Sequence, residues 1–501
     1  MQTLFVTTPP NSNYLDHARC YRALCAKDSR FDGDFFVGVS TTGIYCRPVC
    51  RVKTPRSSSC SFYPNASAAE AAGFRPCLRC RPELAPYAIQ QNLAYAIWQR
   101  ISSGALNFGA SMQDLAKQVG LSTRQLQRLM QVHFGVSPIE LAQTARLLFA
   151  KKLLHETQLP MTEVAYASGF GSVRRFNALF LERYGMAPGA LRRTSSGQTN
   201  VISLRLAYRA PFAWDTMLDY LAGRIIKGVE AIDFQNGQSS YLRSIQFWHG
   251  QKRLEGWLKV SHLEKDQQLA VEVSSQFSPV LMQLLDKIRQ QFDLDANPAI
   301  IEQHLCSDTL LARQIKLTPG LRVPGAFNHG ELAIRAVLGQ QISVAGATTL
   351  AARLVQQFGT PLATPYPGIT HHFPNPAELA LVSIERMAEI GLPKARAATI
   401  IAIAKFAADG GLMLAPGATL EQAVAHLKTV RGIGEWTAQY IALRALRFPD
   451  AFPAGDLGLQ KAAAADVINS AGRISETQLL NRAQNLSPWR GYAALLLWQS
   501  L

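Results

Sequence analysis

The sequence predicts a multidomain protein that is mainly α-helical with α+β parts, and three observations lead to this prediction. The chain has 501 residues, enough for three or four domains at ~100–200 residues each. Paired cysteines mark its beginning, and a helical pattern repeats itself between residues 111 and 193. Beyond residue 200 β-type segments appear, and after Gln276 helical periodicity continues to the end. We therefore expect four domains, over residues 1–90, 91–196, 197–290 and 291–501.

The composition excludes several classes of protein. Hydrophobic residues make up 48% of the chain and charged residues 17%, which is typical of folded domains and not of disordered chains. No apolar run reaches the roughly 18–20 residues that a membrane-spanning helix needs. Residues 1–16 lack the cationic, apolar and small-residue order of a signal peptide. We therefore expect a soluble protein of the cytoplasm.

The positive charge is concentrated at one end of the chain. The formal net charge is +16, and residues 1–200 alone carry 23 basic against 11 acidic side chains. The remaining 301 residues are nearly balanced, with 28 basic and 24 acidic side chains. Such a basic half predicts a polyanionic partner, with nucleic acid as the first candidate and an anionic membrane surface as the second.

Cysteines are grouped in the same basic region. Seven of the eight lie in the first 80 residues. Four of these form two close pairs that are 27 positions apart, Cys46 with Cys50 and Cys77 with Cys80. This spacing is typical of a tetrahedral four-cysteine zinc site. Two pairs of buried thiols without a metal are the alternative.

Arginines adjoin the paired cysteines, and their guanidinium groups suit phosphate. We expect phosphate contacts from Arg47, Arg51 and Arg75. The run TTGIYCRPVC followed by GFRPCLRC resembles the N-terminal domain of the Ada-type methylphosphotriester repair proteins. The resemblance covers about residues 13–85 and implies a small zinc domain that binds double-stranded DNA.

The resemblance also implies that Cys46 is both a zinc ligand and a methyl acceptor, whereas Cys50, Cys77 and Cys80 are ligands only. Zinc keeps the sulfur as a thiolate, which is the nucleophilic form. A methylated phosphate is a neutral triester, and its diester leaves as a stable anion without a general acid. Because methylation reduces the negative charge of the site, we expect the methylated protein to bind DNA phosphates more tightly. The repair event would then also act as a sensor of DNA damage, because it changes the DNA affinity of the protein.

The repeat between residues 111 and 193 predicts a duplicated helix-turn-helix. Residues 115–122 correspond to residues 164–172, and HFGVSP corresponds to RYGMAP. The offset is 49 positions before the turn and 50 after it. Each copy has a short helix, a glycine turn, an N-capping serine (Ser122 or Ser172) and an apolar-periodic helix. A solvated helical spacer is the alternative.

The second helix of each copy carries long polar side chains that suit base edges and phosphates in the major groove. The predicted DNA contacts are Arg124, Gln125, Arg128, Arg174 and Arg175. The pattern resembles the AraC-type DNA-binding domain, in which a linking helix, here around residues 139–156, joins two such motifs. The resemblance implies transcriptional activation, with RNA polymerase as a further partner. Residues 194–200 are small and polar and predict a linker.

Residues 201–276 predict a small α+β unit. Four segments alternate or are rich in β-forming residues, and one helical stretch covers residues 214–223. The predicted strands lie at residues 201–206, 241–247, 256–262 and 268–273.

Farther along, His371 and His372 occupy a proline-rich loop, and we expect both to be solvated and not to form a metal site.

A glycine hairpin lies in the final 100 residues. The run VRGIGEWTAQY contains Gly432 and Gly434, and Asp456 follows 22 positions after Gly434 in a segment rich in proline and glycine. A lone Gly-Ile-Gly is weak evidence, but the longer pattern resembles the helix-hairpin-helix DNA glycosylases. The runs GLRVPG, RAVLGQQISV and PWRGYA narrow the resemblance to the AlkA-type 3-methyladenine DNA glycosylases, over roughly residues 203–499. It implies a TBP-like α+β unit followed by an all-α glycosylase domain.

This second resemblance implies roles for individual residues. Asp456 would stabilise the oxocarbenium-like sugar and orient the attacking water. Trp436, Tyr440 and Trp498 would stack on a flipped, cationic base, although each aromatic alone predicts only core packing. Trp436 stands where strand-cleaving relatives have a Schiff-base lysine, so base removal without strand cleavage is expected. The predicted DNA contacts are Gly432, Gly434, Gln340 and Gln341, where Gln341 or Ile342 would fill the gap left by the base.

The leading hypothesis is therefore an alkylation-repair protein with two activities and built-in regulation. It would use zinc in the N-terminal domain and no cofactor for base excision. The first alternative is a damage-responsive transcription regulator whose C-terminal domain only clamps DNA, and the second is a zinc-dependent structural adaptor. No Pro-Cys-His-Arg motif occurs in the sequence, so reversal of O6-methylguanine is not expected.

Overall fold

The computed structural model describes residues 15–85, 93–192, 200–235, 237–415, 417–465 and 472–501. The chain divides into two compact units. The first comprises residues 1–209 with the segments 278–286 and 415–417, and the second comprises residues 210–277, 287–414 and 418–501. Among the described helices, none combines the length and the hydropathy that crossing a bilayer requires.

The first unit begins with a small α/β module over residues 15–85, called the cysteine module below. Its helices are His17–Ala26 and Ala66–Ala71. Its sheet contains four strands in the order Cys60–Tyr63, Phe36–Val39, Ile44–Cys46 and Arg75–Pro76, of which the last two are parallel. Because Tyr45 pairs with Pro76, the residues that follow them, Cys46 and Cys77, emerge side by side from the sheet.

Within the described residues 93–192, six α-helices follow the cysteine module and confirm the predicted repeat. They are Leu93–Ser102, Met112–Gln118, Thr123–Phe134, Pro138–Glu156, Met161–Ala167 and Val173–Tyr184. The short helices of the two copies begin 49 positions apart and the longer ones 50. Thr123–Phe134 and Val173–Tyr184 are called the first and second recognition helices below, and Pro138–Glu156 the linking helix. Most of the predicted linker, residues 194–199, lies outside the described residues.

The sequence specifies both recognition helices in the same way. The serine hydroxyls of Ser122 and Ser172 accept hydrogen bonds from backbone N–H groups three residues later, at 3.2 Å in each case, which confirms the predicted N-caps. Gly135 and Gly185 end the helices in the left-handed region, at φ +73° and +68°. Each helix buries three residues at positions i, i+4 and i+8, namely Leu126, Met130 and Phe134 in the first and Phe176, Phe180 and Tyr184 in the second.

The second unit contains an antiparallel sheet that begins with a strand the sequence did not predict. Glu230–Gln235, Gln238–His249, Lys252–Leu263 and Gln268–Ser274 pair in that order. The last three contain the predicted segments, and the remaining prediction is observed as the strand Val201–Ala207 in the first unit. The strand Glu230–Gln235 was not predicted because two acidic residues, Glu230 and Asp233, interrupt its β-forming residues. Glu230 pairs with Arg243 in the register.

The rest of the chain is almost entirely helical, as predicted. The helices after residue 210 are Trp214–Ala222, Leu281–Gln291, Pro298–Leu305, Thr309–Leu317, His329–Leu338, Val344–Phe358, Pro376–Leu379, Ile384–Ala388, Lys394–Ala408, Leu420–Leu427, Glu435–Arg444, Leu457–Ala462, Glu476–Ala483 and Arg490–Gln499. Aliphatic side chains from most of them form one core in the second unit. This core supports the hairpin and the helix that begins after Asp456.

The prediction that His371 and His372 are both solvated is wrong for His372. The two residues form a short strand that pairs with Thr360–Pro361, and successive side chains of a strand point to opposite faces. His372 is 1% exposed. Burial, together with nearby Arg253, lowers the pKa of its imidazole to about 4, so it is neutral at physiological pH.

Candidate functional site

The four predicted zinc ligands converge at one point of the cysteine module. The Sγ atoms of Cys46, Cys50, Cys77 and Cys80 all lie within 4.8 Å of one another. A tetrahedral site with Zn–S bonds of ~2.3 Å places its sulfurs about 3.8 Å apart. Backbone N–H groups of Arg47 and Arg79 donate to Cys80 Sγ and Cys77 Sγ at 3.3 and 3.4 Å, which favours thiolates. The donor set therefore fits a zinc ion.

The arginines around this cluster divide into two kinds. Arg51 and Arg75 are exposed, as phosphate contacts require. Arg47 is placed differently, because its guanidinium pairs with the buried Asp32 and donates to the backbone oxygen of Cys80 at 3.2 Å. Its side chain is 12% exposed. Arg47 therefore stabilises the backbone around Cys80 in this structure. The expected phosphate contact would require its guanidinium to leave Asp32 and the Cys80 oxygen.

The recognition helices expose all five of their predicted DNA-contacting residues to solvent. Arg124, Arg128, Arg174 and Arg175 are all exposed. Gln125 is exposed too, but its Oε1 accepts a hydrogen bond from the Ser122 backbone N–H at 2.9 Å and closes a capping box. Only the amide nitrogen of Gln125 therefore remains for a base edge.

The glycine hairpin joins the helices Leu420–Leu427 and Glu435–Arg444. Gly432 adopts φ +91°, and a Cβ atom there would lie 2.2 Å from Thr399 Oγ1. Gln340, a predicted DNA contact, instead donates from Nε2 to the Gly432 oxygen at 3.0 Å and to Thr437 Oγ1 at 2.9 Å. Gln340 therefore stabilises the hairpin, while the neighbouring Gln341 is exposed at φ +58°.

Asp456, the predicted catalytic residue, is the N-cap of the helix Leu457–Ala462. Its Oδ1 accepts hydrogen bonds from the Leu459 backbone N–H and from Trp498 Nε1, each at 3.0 Å. Its Oδ2 accepts one from Trp436 Nε1, also at 3.0 Å. Within the described part of the chain, Asp456 forms no ion pair. Three N–H donors thus fix the carboxylate without neutralising it.

A cavity of about 360 Å³ opens beside Asp456. All three predicted pocket aromatics line it: Trp436, Tyr440 and Trp498. The Tyr440 ring stacks on Trp436 with centroids 5.4 Å apart and planes inclined by 12°, and its centroid lies 6.3 Å from that of Trp498. One face of Trp436 is therefore already covered within the protein.

A second group of residues that line the cavity was not predicted from the sequence: Tyr220, Arg224, Arg335 and Arg444. Arg444 Nη1 donates to the hydroxyl oxygens of both Tyr220 and Tyr440, at 2.9 and 2.7 Å. Arg335 pairs with Glu230 at 3.0 Å and with Glu331 at 3.2 Å. Residues so far apart in the chain carry no local pattern. Only the run RAVLGQQISV, which begins at Arg335, gave a sequence signal.

Four family models match the chain in succession. The metal binding domain of Ada matches residues 19–83, and a helix-turn-helix domain matches residues 115–194. The AlkA N-terminal domain matches residues 203–328, and the HhH-GPD superfamily of base excision DNA repair proteins matches residues 334–486. The zinc, helix-turn-helix and glycosylase parts expected from the sequence are therefore all present.

Individual relatives agree with this domain order. A probable bifunctional transcriptional activator/DNA repair enzyme AlkA from Mycobacterium tuberculosis is 36% identical, over 97% of both chains. DNA-3-methyladenine glycosylase 2 from Escherichia coli is 32% identical over 58% of this chain and 95% of its own length. A 3-methyladenine DNA glycosylase structure from Archaeoglobus fulgidus, at 21% identity, superimposes with a TM-score of 0.50 over 59% of this chain and 96% of that one, and shows the same fold.

Proposed function

This chain belongs to the family of bifunctional transcriptional activator/DNA repair enzymes, and from that premise we propose the residues by which it acts. It is a DNA repair protein with a DNA-3-methyladenine glycosylase domain, and we infer that Asp456 is the catalytic residue of that domain. We further propose that Cys46 accepts methyl groups from DNA phosphotriesters, and that the recognition helices turn this event into transcriptional activation.

The observation that carries the glycosylase proposal is the position of Asp456 in the lining of a cavity that also contains Trp436, Tyr440 and Trp498. When the N-glycosidic bond breaks, positive charge develops on the sugar, and a fixed carboxylate stabilises that charge more in the transition state than in the ground state. The donors from Trp436, Trp498 and Leu459 hold the carboxylate in place before the reaction. The same carboxylate can orient the attacking water.

The cavity supports an alkylated purine as the substrate. Its volume of about 360 Å³ accommodates a flipped base, and its aromatic faces attract a cationic ring. A purine alkylated at N3 or N7 leaves as a neutral base and therefore needs no general acid. No lysine is among the described residues that line the cavity, which supports base removal without strand cleavage.

The test replaces the carboxylate by an amide of the same shape. We expect Asp456→Asn to abolish release of free 3-methyladenine from alkylated duplex DNA while binding to abasic-site DNA persists. Asp409→Asn, an exposed position at the end of another helix, is the matched control and should excise normally. Near wild-type excision by Asp456→Asn would contradict the assignment and favour a domain that only clamps DNA.

The methyl-acceptor proposal rests on the Cys46 thiolate cluster. Attack of Cys46 Sγ on the methyl carbon forms an S–C bond and breaks the O–CH₃ bond, which releases a phosphodiester anion. The exposed guanidinium groups of Arg51 and Arg75 suit the DNA backbone. We expect methylphosphotriester DNA to add one methyl group to a peptide containing Cys46, measured by mass spectrometry. Cys46→Ala should lose this mark and keep base excision, whereas Cys306→Ala, an exposed thiol outside the module, should keep both.

We propose that the recognition helices bind promoter DNA in the cytoplasm and bring RNA polymerase to it. Four exposed arginines on these helices support backbone and base contacts. Arg174→Ala should weaken binding to a duplex selected from a random pool on this protein, and it should lower the salt dependence of binding by about one phosphate contact if that contact is to the backbone. Binding that is unchanged at every salt concentration would remove Arg174 from the interface.

A further inference from the structure

The cysteine module contacts both recognition helices through one short helix, Ala66–Ala71. At its beginning, Asn65 Nδ2 donates to the backbone oxygen of Phe134, the last residue of the first recognition helix, at 3.3 Å. Toward its end, Glu70 forms an ion pair with Arg183 of the second recognition helix at 3.3 Å. Phe134 and Arg183 lie at the same ends of the two repeated helices. The helix Ala66–Ala71 therefore bridges two equivalent points of the repeat.

Glu70 is the centre of this bridge. Its carboxylate accepts hydrogen bonds from the Tyr45 hydroxyl at 3.0 Å and from Thr144 Oγ1 at 2.9 Å, in addition to the Arg183 contact. Its side chain is 2% exposed. Tyr45 precedes Cys46 on the same strand, Thr144 belongs to the linking helix, and Arg183 to the second recognition helix. One buried carboxylate thus joins the methyl-acceptor strand to both elements.

The linking helix makes a second set of contacts with the cysteine module. Lys151, fully buried, donates from Nζ to the backbone oxygen of Cys77 at 3.1 Å and to Glu83 at 2.9 Å. Leu148 packs against the apolar cluster around Tyr45. Thr144, Leu148 and Lys151 are spaced i, i+4 and i+7, so they share one face of the helix. That face is covered by the cysteine module along about two turns.

We propose that Glu70 is a positioning residue that locks the cysteine module and both recognition helices into one DNA-reading body. The inference rests on the proposed function in one respect, that the module itself binds DNA. In a rigid body, the cysteine module and the recognition helices bind DNA at a fixed distance from each other and on a fixed side of the duplex. Modules joined by a flexible tether can bind at any spacing that their linker can reach. The methylated phosphate is then recognised at a defined offset from the helix-turn-helix site.

The first experiment measures rigidity without DNA. Spin-labelled noncanonical amino acids replace Arg22 and Leu181, both exposed, so that all cysteines stay available for zinc. Pulsed dipolar spectroscopy on the zinc-loaded full chain should give one narrow distance distribution. Glu70→Gln and Thr144→Val should broaden it, while Glu264→Gln, an exposed carboxylate outside this unit, should not. A broad distance distribution in the wild-type protein overturns the proposal. So does a distribution that stays narrow in both Glu70→Gln and Thr144→Val.

The second experiment measures spacing on DNA. A duplex is selected from a random pool on the full-length zinc protein, and five base pairs, about half a helical turn, are inserted between the footprints of the module and the helices. The insertion should weaken wild-type binding by about tenfold or more and Glu70→Gln binding by about twofold or less. Equal weakening in the two proteins would overturn the role of Glu70. If Cys46 gains no methyl group while the distances stay narrow and the insertion still matters, the methyl-acceptor proposal fails and the rigid body stands.

Discussion

Asp456 depends on two indole N–H groups for its orientation, which makes Trp436 more than an aromatic surface. Trp436→Phe keeps an aromatic ring beside Tyr440 but removes the donor to Asp456 Oδ2. A hydrogen bond to a charged group contributes about 1.5–3 kcal/mol, so we expect excision of 3-methyladenine to slow by roughly 10- to 100-fold. Binding to abasic-site DNA should change little. Trp248→Phe, at a position that is 55% exposed, is the matched control, and equal rates in the two variants would contradict this role.

The phenol of Tyr440 provides a second prediction at the residue scale. Burial raises the pKa of this group, but the guanidinium groups of Arg444 and Arg224 outweigh burial and lower the pKa to about 8. As the pH rises through 8, the cavity gains a negative charge that favours a cationic base. We expect a phenolate absorbance step near pH 8 that Tyr440→Phe lacks and that Arg444→Met moves to higher pH. A wild-type titration without this step would contradict the prediction.

At the scale of elements, the hairpin glycines should respond differently to a methyl group. Gly432→Ala forces a side chain into the left-handed region and into Thr399, so it should destabilise the fold by roughly 1–3 kcal/mol. Gly434→Ala has φ −88° and open space around the added Cβ. It should keep full stability yet weaken DNA binding, because the methyl group occupies the surface offered to a phosphate. Thermal unfolding and binding to abasic-site duplexes test both variants, and unchanged DNA binding by Gly434→Ala would place the phosphate elsewhere.

The elements that the sequence predicted well are those with a local signal. The N-capping serines and the glycines that follow the last helical residues define the bounds of the recognition helices. The spacing of the paired cysteines predicted that their sulfur atoms would lie together. The cavity was predicted only in part, because Trp436, Tyr440 and Asp456 lie in one motif, whereas Tyr220 and Arg444 meet only through the fold. Arg47 and Gln340 were expected to contact DNA because they lie beside a motif, and both form internal hydrogen bonds in this structure. Their DNA contacts stay predictions, since no local sequence signal shows which polar side chains the fold will use internally.

At the scale of the whole molecule, charge and buried polar groups are used differently in the two units. The first unit carries most of the positive excess on exposed arginines. The second unit buries four of its arginines, Arg243, Arg289, Arg322 and Arg444. Glu230 pairs with one of them, Arg243, at 3.9 Å and with the partly buried Arg335 at 3.0 Å. Glu230 also accepts a hydrogen bond from the Tyr241 hydroxyl. This network connects the sheet to the helix His329–Leu338, which borders the cavity, so the stability of the second unit and the shape of its cavity depend on the same carboxylate.

That dependence predicts how the second unit responds to acid. Burial raises the pKa of Glu230, but Arg335 and Arg243 outweigh it and hold the pKa below its ordinary value of 4.5. A carboxyl group with a lowered pKa stabilises the fold above its unfolded pKa, and this stabilisation is lost as the pH falls through its folded pKa. Glu230→Gln should therefore cost about 3–5 kcal/mol at pH 7, and the difference from wild type should shrink below about pH 4.5. Denaturant unfolding followed by tryptophan fluorescence measures this unit selectively, because six of the seven tryptophans lie beyond residue 210. A difference that stays constant down to pH 3 would show that Glu230 stabilises the unit by packing and not by charge.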